Sequence, residues 1–159
     1  MDNYILSVRP EWLAKILNKE KTIELRKTAP QTPCVMLLYC TKNGDGLTYF
    51  PNQYAKKELI NGKIVGQFTL EKMDRLNHQY YNDPANGIVD ADVYCIPNEY
   101  ANQLENKSCV SFKEMCEYGG HKDIFAWHIS DLVIFDEPKE LSDYGVKRAP
   151  QSYMKVKGV

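Results

Sequence analysis

The chain has 159 residues, a formal net charge of −1 and a sequence pI of about 6.3. This length suits one domain over residues 1–159, which can bury roughly 70% of the surface of its unfolded chain. No apolar run reaches the ~20 residues that span a bilayer, and the N-terminus has no signal-peptide pattern. The near-neutral charge also argues against strong nonspecific binding to duplex DNA, because such binding needs many contacts to phosphate.

The charged residues are distributed unevenly along the chain. Residues 1–63 carry 10 basic and 6 acidic side chains, or +4, and residues 64–145 carry 6 and 15, or −9. Residues 146–159 carry 4 basic and no acidic side chains, or +4. If the first and last strands are neighbours, the two basic ends form one surface suited to nucleic acid. The alternative is that acidic surface loops happen to lie in mid-chain.

The cysteines are odd in number, at positions 34, 40, 95, 109 and 116, and form no Cys-x-x-Cys pair. This usage favours reduced thiols in a cytoplasmic protein. Cys34 and Cys40 lie in an apolar segment, which favours core packing. Four possible zinc ligands are close in sequence, but their spacing matches no common structural site: Cys109, Cys116, His121 and His128. We therefore predict neither a metal nor a cofactor.

The first half of the chain predicts strands with short helices between them. Pro10 suits the first turn of a helix whose apolar face carries Leu13, Ile16 and Leu17. A strand containing Glu24 follows that helix. The other elements predicted here are strands at 4–8, 34–41 and 63–70, a turn at 42–46 and a helix at 53–60.

The second half begins with the segment that is hardest to interpret, residues 74–108, which we predict as loops with one short helix. Ser111 and Glu114 form a capping-box pattern that starts a helix, and a pair of glycines ends it. A long strand is predicted over residues 124–135, bent near Ser130. Residues 152–156 form the last predicted strand.

The segment between residues 19 and 27 carries most of the chemistry. On a strand, Ile23 and Leu25 point to one face and Glu24 and Arg26 to the other. Lys21, at the preceding turn, can lean towards the polar face. An ammonium, a carboxylate and a guanidinium placed together can bind a phosphate or a base edge, or support proton transfer. The alternative is an ion pair on a solvated strand, which contributes little to stability.

Other polar residues are candidates for the same site. His128 can exchange a proton near neutral pH, or it is a hydrogen-bonded structural histidine. Arg148 and Gln151 precede the last strand and can contact a phosphate and a base edge, or lie in a solvated turn. Thr41 and Lys42 end the apolar strand and can reach the same opening. Three aromatic residues are candidates for stacking on an unpaired base: Trp12, Tyr39 and Tyr49.

The pattern Lys-x-x-Glu-x-Arg at residues 21–26, after a short helix, resembles the signature of the ASCH domain, a family related to the PUA-like RNA-binding barrels. Further segments are similar to strands of a phage- and bacteria-type subgroup, so that the resemblance runs from residue 4 to residue 156: residues 5–10, 62–68, 126–132 and 147–153. It implies an α+β fold, a small PUA-like mixed β-barrel with peripheral helices and the Glu24 strand near its centre.

The resemblance also implies a noncatalytic module that binds RNA or a nucleotide, and we favour this function. The ligand-binding residues would then be Lys21, Glu24, Arg26, Thr41, Lys42, Arg148 and Gln151. No membrane partner is expected.

An enzyme is the alternative that the resemblance leaves open. Some small members are amidohydrolases that remove the acetyl group from N4-acetylcytidine with a lysine, a threonine and a glutamate. Lys21 matches that lysine, but Glu24 stands at the position of the threonine and would act as a general base. Other members have been described as ribonucleases. Catalysis would then use Lys21, Glu24 and His128, with Lys21 and Arg26 stabilising the phosphate charge.

Overall fold

A computed structural model of the chain describes residues 1–49 and 58–157. The helices within these residues are α1 (Pro10–Leu17), α2 (Leu104–Ser108) and α3 (Phe112–Gly119). The strands are β1 (Asp2–Val8), β2 (Ile23–Arg26), β3 (Cys34–Cys40), β4 (Thr48–Tyr49), β5 (Glu58–Leu59), β6 (Ile64–Leu70), β7 (Met73–Leu76), β8 (His78–Asp83), β9 (Ile88–Tyr94), β10 (Ile124–His128), β11 (Ser130–Lys139) and β12 (Tyr153–Val156).

Two sheets form the body of the molecule. The larger has the order β11-β6-β3-β1-β12, in which β1 and β3 are parallel and the other pairs are antiparallel. The smaller is antiparallel, with the order β2-β10-β7. The pairing of β1 with β12 agrees with the expectation that the first and last strands are neighbours. The α+β class is confirmed.

A closed barrel is not confirmed, because the described strands are hydrogen-bonded in separate sheets. Two further antiparallel pairs, β4-β5 and β8-β9, lie outside the two main sheets. The strand that carries Glu24, predicted near the centre, is an edge strand of the smaller sheet.

The long strand predicted at residues 124–135 is divided between the two sheets. β10 belongs to the smaller sheet and β11 to the larger one, and Ile129 lies between them. Asp131 has a φ of 49°, which places the bend where it was predicted. Gly66 on β6 permits the close approach of β11, since a Cβ there would lie 2.5 Å from the Val133 carbonyl oxygen. The chain therefore passes from the smaller sheet to the larger one at this bend.

The core follows from the alternation of side chains along these strands. One face of the larger sheet packs with α1 and with the fully buried Trp127 of the smaller sheet. Cys34 and Cys40 are both buried in this core, as predicted. The other face of the smaller sheet carries Ile23 and Leu25 into a second core with α2 and α3. Glu24 and Arg26 therefore face the space beside the larger sheet.

Two stretches differ from the sequence-based expectation or lie beyond the described residues. Residues 74–108 contain α2, as expected, but also β7 and the hairpin β8–β9, which were predicted as loops. The helix predicted at 53–60 falls mostly outside the described residues. In its described part, residues 58–60, Glu58–Leu59 form strand β5 and not a helix. Among the described helices, none is long and apolar enough to cross a membrane.

Candidate functional site

A cleft of about 760 Å³ opens between β2, the start of α1, the end of β3 and the segment before β12. This volume lies within the range of small-molecule sites, roughly 300–1,000 Å³. Six of the predicted ligand-binding residues line it: Lys21, Glu24, Arg26, Thr41, Lys42 and Gln151. These residues come from three segments of the chain, at 21–26, 41–42 and 151, which the topology brings together around the edge of the smaller sheet.

Lys21 lies at the inner end of the cleft and is only 3% exposed. Its Nζ donates a hydrogen bond to the Ser108 carbonyl at the end of α2 and lies 3.9 Å from Glu24 Oε2. The same ammonium lies 5.1 Å from the centre of the Trp12 ring, within cation–π range. Burial lowers the pKa of Lys21, although the Glu24 carboxylate opposes that shift.

Glu24 is 8% exposed and presents one oxygen without a hydrogen-bond partner. Oε1 accepts a hydrogen bond from Arg26 Nε at 3.2 Å. Oε2 accepts none, since the 3.9 Å to Lys21 Nζ exceeds hydrogen-bond range. A buried acceptor without a partner costs about 1–3 kcal/mol, so such groups are rare unless a ligand or water completes them.

Arg26 fastens the smaller sheet to the larger one beside the cleft. Besides its bond to Glu24, it donates through Nη2 to the Ser7 carbonyl at 3.1 Å and through Nη1 to Ser152 Oγ at 3.2 Å. Ser7 Oγ in turn donates to the Pro150 carbonyl at 2.7 Å. The guanidinium therefore orients Glu24 and holds the segment before β12 against β1.

Thr41 provides the second buried polar atom of the cleft that has no partner, its Oγ1. Its backbone is fixed, because the N–H donates to the Val8 carbonyl at 3.0 Å. A hydroxyl can both donate and accept a hydrogen bond. The cleft therefore offers one acceptor at Glu24 and one donor–acceptor at Thr41, both already desolvated.

The lining of the cleft is mainly cationic and aromatic. Its charged lining consists of four basic residues, Arg9, Lys21, Arg26 and Lys42, and two acidic ones, Glu24 and Glu114. The aromatic lining residues are Trp12, Tyr39 and Tyr118. Burial raises the pKa of both tyrosines, so both hydroxyls stay protonated near neutral pH. The side chain of the third candidate for stacking, Tyr49, lies outside the described residues.

His128 does not line the cleft, and the register of β10 explains why. Trp127 is paired with Glu24 and His128 with Ile23, so His128 lies on the opposite face of the smaller sheet from Glu24. There its Nε2 is 2.6 Å from Asp74 Oδ2. This hydrogen-bonded position matches the structural alternative and separates His128 from Lys21.

Arg148 is exposed and is not part of the cleft lining, whereas Gln151 is. Sequence reasoning missed Glu114 and Tyr118, which reach the cleft from α3. They are four residues apart, so they lie on one face of the helix. The spacing of these two residues is visible in the sequence. The sequence does not show which face of α3 is turned towards β2.

Neither a protein-family model nor a curated protein matches the sequence. Solved structures do match it. The ASCH protein from Zymomonas mobilis superposes with a TM-score of 0.61 at 15% identity, over 98% of this chain and 87% of that chain. A tyrosine-to-phenylalanine variant of the same protein gives a TM-score of 0.62 at 15% identity, over 99% and 91% of the two chains. A serine-to-alanine variant gives 0.60 at 15% identity, over 98% and 88%. The chain therefore has the fold of the ASCH domain.

Proposed function

We propose that the cleft binds one unpaired nucleotide of single-stranded RNA, with the base inserted towards Glu24 and Thr41. The observation that carries this proposal is the pair of buried atoms without partners, Glu24 Oε2 and Thr41 Oγ1, in one cleft. A base edge supplies the N–H donors and the acceptors that these atoms lack. The fold shared with ASCH structures is consistent with this function.

The carboxylate favours bases that present an exocyclic amine. Asp and Glu accept hydrogen bonds from the N4 amine of cytosine, and a threonine hydroxyl can pair with either a donor or an acceptor. Glu24 is held in a fixed orientation by Arg26, so less rotamer freedom is lost on binding. We therefore expect cytosine to bind more tightly than uracil, which presents a carbonyl at the same position.

The shape of the cleft favours a single strand over a duplex. Glu24 and Lys21 are less than 10% exposed, so a base inside a stacked duplex cannot reach them, whereas an unpaired base can. The basic residues on the rim, Arg9 and Lys42, suit the flanking phosphates, and the ring of Trp12 offers a surface for stacking.

The test is fluorescence anisotropy with labelled RNA oligomers and with duplex DNA at two salt concentrations. Glu24→Gln keeps the shape of the side chain but replaces the acceptor with an amide, and should weaken RNA binding by about 1–3 kcal/mol, or roughly 5- to 150-fold. Glu20→Gln is the matched control, because Glu20 is an exposed glutamate outside the cleft. Equal affinity for duplex DNA, or unchanged affinity in Glu24→Gln, would contradict the proposal.

A second candidate, hydrolysis of N4-acetylcytidine, is favoured by one observation: a lysine with a lowered pKa lies beside a buried carboxylate. Glu24 would take a proton from water as the oxygen attacks the acetyl carbonyl. The C–N bond would then break to give cytidine and acetate, with the proton passed to the leaving nitrogen. Chromatography of N4-acetylcytidine incubated with the protein tests this, and release of cytidine that is lost in Glu24→Gln would favour the enzyme.

A further inference from the structure

A second cluster of ionisable side chains, none of which lines the cleft, lies where the hairpin β8–β9 meets the loop after α3. His78 Nε2 is 2.7 Å from Asp92 Oδ1, and His121 Nδ1 is 3.0 Å from the same oxygen. The three atoms all lie within 4.8 Å of one another. We call His78, Asp92 and His121 the His–Asp–His cluster.

The hairpin register explains how two of these residues meet. His78 is paired with Tyr94, and Asp92 lies two residues before Tyr94, so His78 and Asp92 are diagonal neighbours on one face of the hairpin. His121 comes from a different part of the chain, after α3. The three residues therefore converge from three segments, which is the usual origin of a chelating site in a folded protein.

The distances are close to those that a bound transition metal requires. Zinc bonds to imidazole nitrogen and carboxylate oxygen are about 2.0–2.2 Å long, so two ligands at a tetrahedral angle lie ~3.3 Å apart. The observed separations of 2.7 and 3.0 Å would open by about 0.3–0.6 Å, and the two histidine nitrogens lie within 4.8 Å of each other. Two imidazoles and one carboxylate are also a donor set that suits zinc and similar metals.

The loop that carries His121 is held in place by Tyr94. Its hydroxyl lies 3.2 Å from the Gly120 carbonyl and 2.9 Å from the Lys122 carbonyl. Asp123 then fixes the start of the hairpin by accepting a hydrogen bond from the backbone N–H of His78 at 2.7 Å. Both histidine-bearing segments are thus positioned by contacts outside the cluster, as in sites whose surrounding residues orient the ligands.

The cluster is also accessible and correctly charged for metal entry. The side chain of His121 is 79% exposed, that of Asp92 28% and that of His78 13%. An aspartate has an ordinary pKa of about 3.9, so Asp92 supplies an anionic ligand at neutral pH. Three protein ligands with one open side leave room for water as a fourth ligand.

We propose that His78 Nε2, Asp92 Oδ1 and His121 Nδ1 bind one zinc ion, or a chemically similar divalent transition metal, which fastens the β8–β9 hairpin to the loop after α3. The proposal is independent of the function proposed for the cleft. The sequence alone led us to predict no metal. The proposed ligands are far apart in sequence: 14 positions separate His78 from Asp92, 29 separate Asp92 from His121, and 43 separate His78 from His121.

The test is a Zn²⁺ titration of the full chain in competition with a chromophoric chelator, under reducing conditions. The wild-type protein should bind one Zn²⁺ per chain, and its thermal unfolding temperature should rise with Zn²⁺. Asp92→Asn and His121→Gln should each weaken Zn²⁺ binding by at least ~10-fold. Because His121 is largely exposed, its replacement does not disturb the core and remains informative if the Asp92 variant folds poorly.

The controls use the other residues that could bind zinc. His128→Gln changes the third histidine of the chain, which is bonded to Asp74, and should leave Zn²⁺ affinity unchanged. Cys116→Ser should do the same, and the Co²⁺-loaded protein should show no thiolate-to-metal charge-transfer band. Absence of Zn²⁺ binding, wild-type affinity in His121→Gln, or an equal loss in His128→Gln or Cys116→Ser would overturn the proposal.

Discussion

The cleft and the His–Asp–His cluster both place nitrogen-bearing side chains next to a carboxylate, but burial gives the two sites different chemistry. In the cleft, Lys21 and Glu24 are 3% and 8% exposed, burial lowers the pKa of the ammonium, and one carboxylate oxygen has no partner. In the cluster, both histidines lie against one oxygen of a more accessible Asp92. Desolvated groups that lack partners are suited to an organic ligand that supplies hydrogen bonds. An accessible set of three ligand atoms is suited to a metal ion.

The largest expected effect on stability comes from Lys21→Met, which keeps the length of the side chain and removes its charge. The Ser108 carbonyl then loses its donor, and Glu24 keeps only Arg26 as a cationic partner. Breaking a buried ion pair costs about 3–5 kcal/mol, and the remaining contact with Arg26 reduces the expected loss in the free energy of unfolding to about 2–3 kcal/mol. Urea unfolding measures it.

Lys155→Met is the matched control for that variant. Lys155 Nζ is 2.8 Å from Asp2 Oδ2, a shorter ion pair than that of Lys21, but its side chain is 61% exposed. An exposed pair of this kind contributes little to stability, because water screens the two charges. If the two variants lose the same stability, burial does not distinguish the cleft from the surface, and the comparison fails.

Gly119→Ala probes the support of the His–Asp–His cluster. A Cβ at this position would overlap the hydroxyl of Tyr94, which holds the loop carrying His121. Such overpacking costs about 1–3 kcal/mol, and we expect Zn²⁺ binding to fall by more than RNA binding. RNA binding should fall only slightly, because Tyr118 of the same helix lines the cleft. Gly87→Ala is the control for backbone strain without overlap, because Gly87 has a φ of +77° but no atom near its Cβ position. An equal fall of both affinities in Gly119→Ala would contradict the separation of the two sites.

Ser111→Ala has the smallest expected effect and affects the cleft through α3. Ser111 Oγ accepts a hydrogen bond from the Glu114 N–H at 3.1 Å, as the capping-box pattern predicted. Loss of this cap should lower the free energy of unfolding by about 1 kcal/mol. Since Glu114 and Tyr118 of the same helix line the cleft, RNA affinity should fall only slightly. Thermal unfolding and anisotropy measure the two effects, and a large drop in affinity would mean that α3 contributes more than its two side chains.

The central residues of the cleft could be predicted together because they are close in sequence, at positions 21, 24 and 26. Lys21, Glu24 and Arg26 fall within one turn and one strand, and alternation alone places the last two on one face. His128 was misplaced because alternation gives the relative faces of one strand, whereas the pairing of β10 with β2 decides which face turns to the cleft. The sequence has no local signal for that register.

The His–Asp–His cluster was missed for a related reason. Its hairpin is largely exposed, so β8 and β9 lack the alternation of apolar and polar residues that marks a half-buried strand. The signal that was present is the Asn86-Gly87 turn, followed by the β-branched residues Ile88 and Val89. Without the hairpin, His78 and Asp92 are distant in sequence and cannot be placed together.

The most direct test of the cleft is a crystal structure of the protein with a bound cytidine nucleotide or a short cytosine-containing RNA. We predict that the base lies in the cleft with its exocyclic amine within hydrogen-bond distance, about 2.7–3.2 Å, of Glu24 Oε2 and with a polar atom in reach of Thr41 Oγ1. A nucleotide bound elsewhere on the molecule, with both atoms still lacking a ligand partner, would contradict the assignment of this cleft.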